Sequence, residues 1–236
     1  MKSFIFLSIL FIPIALSALT LKDKLIEAKV GTYIVTKQNK TYTLLRIYSL
    51  NAYALSLEEI NIPSCFINAS KHNWKQWIED KAPGHSSWIV YSLDLSTNTI
   101  TTCYSYDRKI FIAPDNLNAF LPTLLNLDLH LVSEKEQLQT APSSKPGQVM
   151  ANHIWRPPQY IEGKKIESPL YSVYKASWPK DRSELSGQTL IFYFDQKCPS
   201  FPFPYWIQAK QIGIKYTVKA VDSGFASKSN ALTPLF

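Results

Sequence analysis

Glycine is scarce in this 236-residue chain, with seven in all. A phosphate-cradling loop or a dinucleotide fingerprint needs glycines clustered at fixed offsets, and no such cluster is present. Cysteine is scarcer still: Cys65, Cys103 and Cys198, with no Cys-x-x-Cys pair for a zinc site or a thiol redox centre. The four histidines, His72, His85, His130 and His153, lack partners at metal-ligand spacing. A Gly-x-Ser-x-Gly nucleophile elbow is missing, and so is an aspartate-rich calcium loop. The formal charge is +7, yet no run of five or six Lys or Arg occurs. That disfavours nucleic acid and leaves either anionic surfaces such as lipid headgroups or a merely solvated basic face. These absences point to a protein that is not an enzyme and uses neither metal nor cofactor. A hydrolase whose triad members lie far apart in sequence is the catalytic reading that survives.

Long hydrophobic runs are also missing, with one exception at the start. Met1-Lys2-Ser3 carries one charge, Phe4 to Leu16 is apolar except for Ser8, and small residues follow at Ala15, Ser17 and Ala18. This is the layout of a secretory signal. The apolar run is short of the ~20 residues a spanning helix needs, and Pro13 discourages one. Cleavage after Ser17 places small residues in both exit pockets better than cleavage after Ala18. The expected organisation is a signal peptide at 1–18 and one β-rich domain at 19–236, in the periplasm or outside the cell. The stretch Ala141-Pro142-Ser143-Ser144-Lys145-Pro146-Gly147 is linker-like. It either forms one long surface loop or divides the chain into 19–137 and 153–236.

What is abundant is bulky: aromatics make up 13% of the chain and proline supplies 15 residues. Strand signals dominate. Tyr33 to Thr36 and Tyr42 to Tyr48 flank the turn Gln38-Asn39-Lys40, and Tyr53 to Ile62 follows. Ser87 to Leu95 and Thr99 to Tyr106 alternate around Ser96-Thr97-Asn98, a hairpin. Lys109 to Ala113 and Leu127 to Val132 are shorter. Later strands are read at Tyr160 to Ile166, Leu170 to Ser177, Thr189 to Asp195, Tyr205 to Lys210 and Ile212 to Val221. Helices are expected at Leu19 to Lys29, where Thr20 is a cap, at Asn73 to Lys81 and at Asn116 to Leu125. The fold expected is mainly β with a minor helical part: a curved antiparallel sheet as a half-barrel, barrel or sandwich, with a few short helices.

Trp74 and Trp77 share one helix face, and Phe201, Phe203 and Trp206 sit in the Pro-pinned loop Phe201-Pro202-Phe203-Pro204-Tyr205-Trp206. These five are the candidate ligand contacts, with core packing as their competing use. In an oxidising compartment two of three cysteines can pair. Cys65 and Cys103, both flanked by strand-like sequence, are the expected pair, although sequence does not decide pairing. Cys198, with no His beside it in sequence, reads as an inert loop thiol.

The order of signal, short helix at Leu19 to Lys29, strand meander, and short helices at Asn73 and Asn116 resembles the periplasmic lipoprotein carriers and receptors of the LolA/LolB type. So does the strand ending in Asp195 before a Pro-rich loop. The resemblance is architectural and implies a strongly curved sheet with helices lidding a hydrophobic hollow. The expected function is an exported, non-catalytic protein that binds an apolar or amphiphilic ligand, lipid or lipoprotein-like, in that sheet. Lipid, a membrane surface or an envelope protein is the expected partner. The alternative is a cell-envelope or secreted interaction module without a small-molecule ligand.

Overall fold

The structure is a computed structural model, and it describes residues 19–68, 72–138, 154–211 and 214–226. The expected signal at 1–18, the linker-like stretch 141–147, His153 and the tail 227–236 lie outside the described residues.

The N-terminal part is a meander built by local chemistry. Helix α1 (Leu21–Ile26) starts at Thr20, whose Oγ1 accepts the Asp23 amide at 3.1 Å while the Asp23 carboxylate accepts the Thr20 amide at 2.8 Å, a reciprocal cap. Strands β1 (Thr32–Gln38), β2 (Thr41–Leu50), β3 (Ala54–Pro63), β4 (Ser87–Asp94), β5 (Thr99–Ser105) and β6 (Ile110–Phe111) then pair in sequence order. In the β4–β5 turn the Asp94 carboxylate accepts the amides of Ser96 and Thr97 at 2.7 and 2.9 Å, and Asn98 takes the left-handed conformation at φ 55°. Helix α2 (Trp74–Glu79) lies between β3 and β4, capped by Asn73, which accepts the Gln76 amide at 3.1 Å. Helix α3 (Asp115–Leu125) runs through Pro122. Its Asn118 bonds both the N–H and the C=O of Ile100, covering backbone groups of β5 beyond the two-residue β6.

The chain next forms β7 (His130–Leu131), α4 (Glu134–Gln137) and the small hairpin β8 (Tyr160–Ile161) and β9 (Lys164–Lys165). A second meander follows: β10 (Tyr171–Ser177), β11 (Thr189–Asp195), β12 (Trp206–Gln211) and β13 (Ile214–Phe225). Strand β13 pairs with β1, so the two meanders make one eleven-stranded antiparallel sheet, ordered β6-β5-β4-β3-β2-β1-β13-β12-β11-β10-β7. The sheet is curved and open, with free ends at β6 and β7. Of the expected forms, the mainly β class and the curved antiparallel sheet hold, while closure into a barrel does not occur.

Alternation along β1 sends side chains to two cores. Tyr33 and Val35 join Tyr42, Leu44, Ile60 and Ile62 beneath Trp74, Trp77 and Ile78 of α2. Ile34 joins the larger core with Leu21 and Leu25 of α1, Leu55, Leu57 and, from the second meander, Val173, Phe192, Phe194 and Tyr205. The stretches on either side of the linker therefore contribute to one sheet and share a core. An ion pair is buried in the sheet: Arg46 on β2 and Glu58 on β3 stand in register, 1% and 0% exposed. Arg46 Nε donates to Glu58 at 2.7 Å, and Trp88 Nε1 donates to the same carboxylate at 2.9 Å.

The expected Cys65–Cys103 disulfide is absent: all three cysteines are free thiols. The register explains why. Cys103 is paired with Tyr91 and Tyr91 with Leu57, whereas Cys65 lies eight positions past Leu57, in a 3-10 turn after β3. At about 3.3 Å per residue the two are on the order of 25 Å apart, against a limit of about 7 Å between bridged Cα atoms.

Candidate functional site

Strand β12 begins at Trp206, so the last residues of β13 have no strand neighbour on that side. The β8–β9 hairpin takes the vacant edge. Glu162 N donates to Ser223 O at 2.8 Å, Gly163 N to the Asp222 carboxylate at 2.9 Å, and Ser223 Oγ to Tyr160 O at 2.9 Å. The hairpin turns through Glu162 and Gly163, at φ 47° and 76°, the two left-handed positions of a tight hairpin turn. It can approach so closely because Gly224 has no side chain. A Cβ there would lie 2.8 Å from both Glu162 Cγ and the Tyr33 hydroxyl.

A cleft opens on each side of this hairpin. The first, about 540 Å³, is walled by Phe201, Tyr205, Phe225 and Ile161, with Glu27, Lys29, Thr32, Asp195, Cys198 and Ser223 among its polar margin. Its polar floor is internally satisfied. Ser223 Oγ gives its proton to Tyr160 O, so the 2.7 Å contact with Tyr205 has the phenol as donor. Burial pushes the Tyr205 phenol up to about 12, which keeps it protonated as that donor. Asp195 accepts from Gln159 Nε2 and from the Lys197 amide, each at 2.8 Å. At the mouth the Lys29 ammonium sits 4.0 Å from the Phe225 ring centroid, a cation–π contact.

The second cleft, about 700 Å³, has aromatic and basic walls: Tyr42, His72, Trp74 and Tyr160, with Lys37, Lys164 and Lys219. Val35 faces Asp222 and Lys37 faces Lys219 across the β1–β13 ladder. By alternation this cleft lies on the Val35 side of that pair, while Thr32 and Phe225, opposite each other in register, belong to the Ile34 side and to the apolar cleft. Glu162 borders both. Asp222 is 2% exposed, and burial raises its pKa against the pull of the Gly163 and Ser223 amides. Burial raises the Tyr33 phenol too, with Asp222 adding to the shift, and it lowers the pKa of His72.

The five aromatics singled out in the sequence are not brought together. Trp74 lines the basic cleft, whereas Trp77 is core, its indole N–H donating to Pro83 O at 3.0 Å. Phe201 lines the apolar cleft, Phe203 is buried beside it, and Trp206 packs edge-on to Trp155 at 5.0 Å between centroids. Sequence reading missed Phe225, Ile161 and Lys29. The one local signal was Glu162-Gly163, a turn inside the stretch Tyr160 to Ile166 read as a single strand. Cys198 borders the apolar cleft, and no histidine among the described residues does. His85 contacts Ala82 O and the Asp107 carboxylate, each at 2.7 Å. Among the described residues no group of three His, Cys, Asp or Glu is placed to hold a metal ion, and no helix is long and apolar enough to cross a membrane.

Comparison with known proteins adds a family and a fold. A family model described as CT021 protein matches residues 43–167, from β2 to just past β9. No curated protein matches the chain. The structure of the hypothetical protein CT021 from Chlamydia trachomatis superposes with a TM-score of 0.64 at 17% identity, covering 92% of this chain and 98% of that one.

Proposed function

The chain belongs to the CT021 protein family, and from that starting point we propose that it is an exported, non-catalytic protein that holds an apolar or amphiphilic ligand in the cleft between β13, the β8–β9 hairpin and the β11–β12 loop. The observation that carries the reading is a cleft of about 540 Å³ walled by Phe201, Tyr205, Phe225 and Ile161, within the range of about 300–1,000 Å³ typical of small-ligand sites. Export rests on the charged, apolar and small-residue layout of residues 1–18. A curved antiparallel sheet with short helices is also what the resemblance to LolA/LolB-type carriers implies.

Magnitudes narrow the ligand. Burying about ten methylenes gains about 8 kcal/mol, and association costs at least about 4 kcal/mol. A bare tail would then bind at around millimolar strength, so a useful ligand needs a polar head as well. Native mass spectrometry of the purified protein, with solvent extraction of its lipids, tests the reading. The expected result is one retained amphiphile per chain, lost in Phe225→Ser and in Phe201→Asp. A protein that carries no lipid and leaves an alkyl fluorophore dark at micromolar concentrations would defeat it. Chemical consumption of the ligand would replace binding with hydrolysis.

A further inference from the structure

The second cleft gathers three lysines, a set that an anionic ligand would neutralise. Lys37 and Lys219 stand directly opposite each other on neighbouring strands, where like charges are unfavourable. Both line the cleft, and Lys164, from the hairpin, adds a third ammonium. The acids in the lining are poor counter-charges. Glu162 is engaged with Lys75 at 3.2 Å. Asp222 is buried, accepts the Gly163 amide, and holds its proton more readily than an exposed aspartate. Most of the remaining wall is aromatic. Tyr42 lies 5.1 Å from the Lys37 ammonium, and the His72 and Trp74 rings meet at 4.4 Å. His72 Nε2 is enclosed without a hydrogen-bond partner among the described residues.

We propose that this cleft is an anion site for a phosphate group, carried as the head of the amphiphile whose apolar part lies in the neighbouring cleft; the assignment rests on the function proposed above. A phosphate suits the walls better than a carboxylate does. It offers three acceptor oxygens and up to two charges, a closer match to three ammonium groups than the single charge of a carboxylate. Lysine, a compact point charge on a flexible stem, adapts to such a group without a fixed fork geometry. Glu162, at the tip of the hairpin, lines both clefts. A ligand that fills both clefts therefore passes this tip between its head and its tail. Lys29 lies ahead of β1 and does not line this cleft. It borders the apolar cleft, and its ammonium faces the Phe225 ring.

The test is calorimetric titration of the full mature chain with decyl phosphate, decyl glucoside and inorganic phosphate, all below micelle-forming concentrations. Wild type is expected to bind decyl phosphate about 10–100-fold tighter than decyl glucoside, the range for contacts to charged groups. Raising the salt concentration should weaken the phosphate arm alone. Lys37→Gln/Lys219→Gln should abolish that preference, bringing decyl phosphate down to the level of decyl glucoside. A single cooperative melting transition of the doubly substituted protein shows that the variant folds. Equal affinity for the two decyl compounds in wild type, or a preference that survives the double substitution, overturns the anion site and leaves the apolar cleft standing. Binding of inorganic phosphate with neither decyl compound bound overturns the headgroup assignment together with the amphiphile reading.

Discussion

At the scale of single residues, the most consequential feature is Glu58. It is 0% exposed and accepts hydrogen bonds from Arg46 Nε and Trp88 Nε1. Taking both charges out of water is costly, and the pair holds because each supplies what the other lost. Removing one partner strands the other. Glu58→Leu is expected to lower stability by about 3–5 kcal/mol, whereas Arg46→Met/Glu58→Leu should recover most of that, both read by urea denaturation. A double variant as unstable as the single one would show that the pair stabilises the fold beyond mutual compensation. Asp222 makes the opposite case. Burial raises its pKa in the folded chain, so the stability tied to its protonated form is complete below the unfolded value, about 3.9, and is lost as pH rises through the folded value. Asp222→Asn keeps the acceptor for Gly163 N and removes the charge. Its melting temperature should exceed that of wild type by a margin that widens between pH 4 and pH 7. A constant margin would mean that ionisation of Asp222 is not the cause.

At the scale of elements, the β8–β9 hairpin is the piece on which both clefts depend. Strands of two residues do not hold themselves together; the three bonds to Ser223 and Asp222 hold them. Gly163 sits at φ 76°, and a Cβ there would meet nothing within 4 Å. Gly163→Ala therefore probes backbone conformation alone, at a cost of about 1 kcal/mol. Faster hydrogen exchange at Glu162 and Ile166, with little change in global unfolding, is the expected signature of a locally attached flap. Uniformly faster exchange would tie the hairpin to the global fold. Elements of this kind mark where sequence reading ends. The β4–β5 hairpin was legible because alternation and its turn are local, α1 was legible through Thr20, and α2 through the shared face of Trp74, Trp77 and Ile78. Helix α4 was overlooked although Ser133 and Glu136 form a capping box, a four-residue signal too short to carry periodicity. The pairing of β1 with β13 and the seat of β8 on Ser223 join residues far apart in sequence, and no periodicity encodes that. The clefts exist only because of those contacts, so their positions could not be read in advance, even though Phe201 and Trp74 had been picked out as notable.

At the scale of the whole molecule, the β1–β13 ladder decides whether this is one cooperative unit or two. The first meander ends at β6 and the second at β10, with β7 beside it, and they touch through the middle of the sheet. The larger core crosses that seam, with Ile47 and Leu57 on one side and Phe192 and Tyr205 on the other. A seam that is both hydrogen-bonded and packed should not part while either half stays folded, because splitting it would expose core to water. Unfolding in urea followed by circular dichroism and by tryptophan fluorescence should therefore coincide in one transition. Val35 is fully buried at this seam, and Val35→Ala removes about 2 kcal/mol by lost burial and the cavity left behind. That loss should appear equally in the exchange of the Ile47 amide in β2 and of the Phe192 amide in β11. If Ile47 alone loses protection, the ladder joins two separately folding meanders, and ligands in the clefts beside β13 would then tighten the seam instead of merely occupying it.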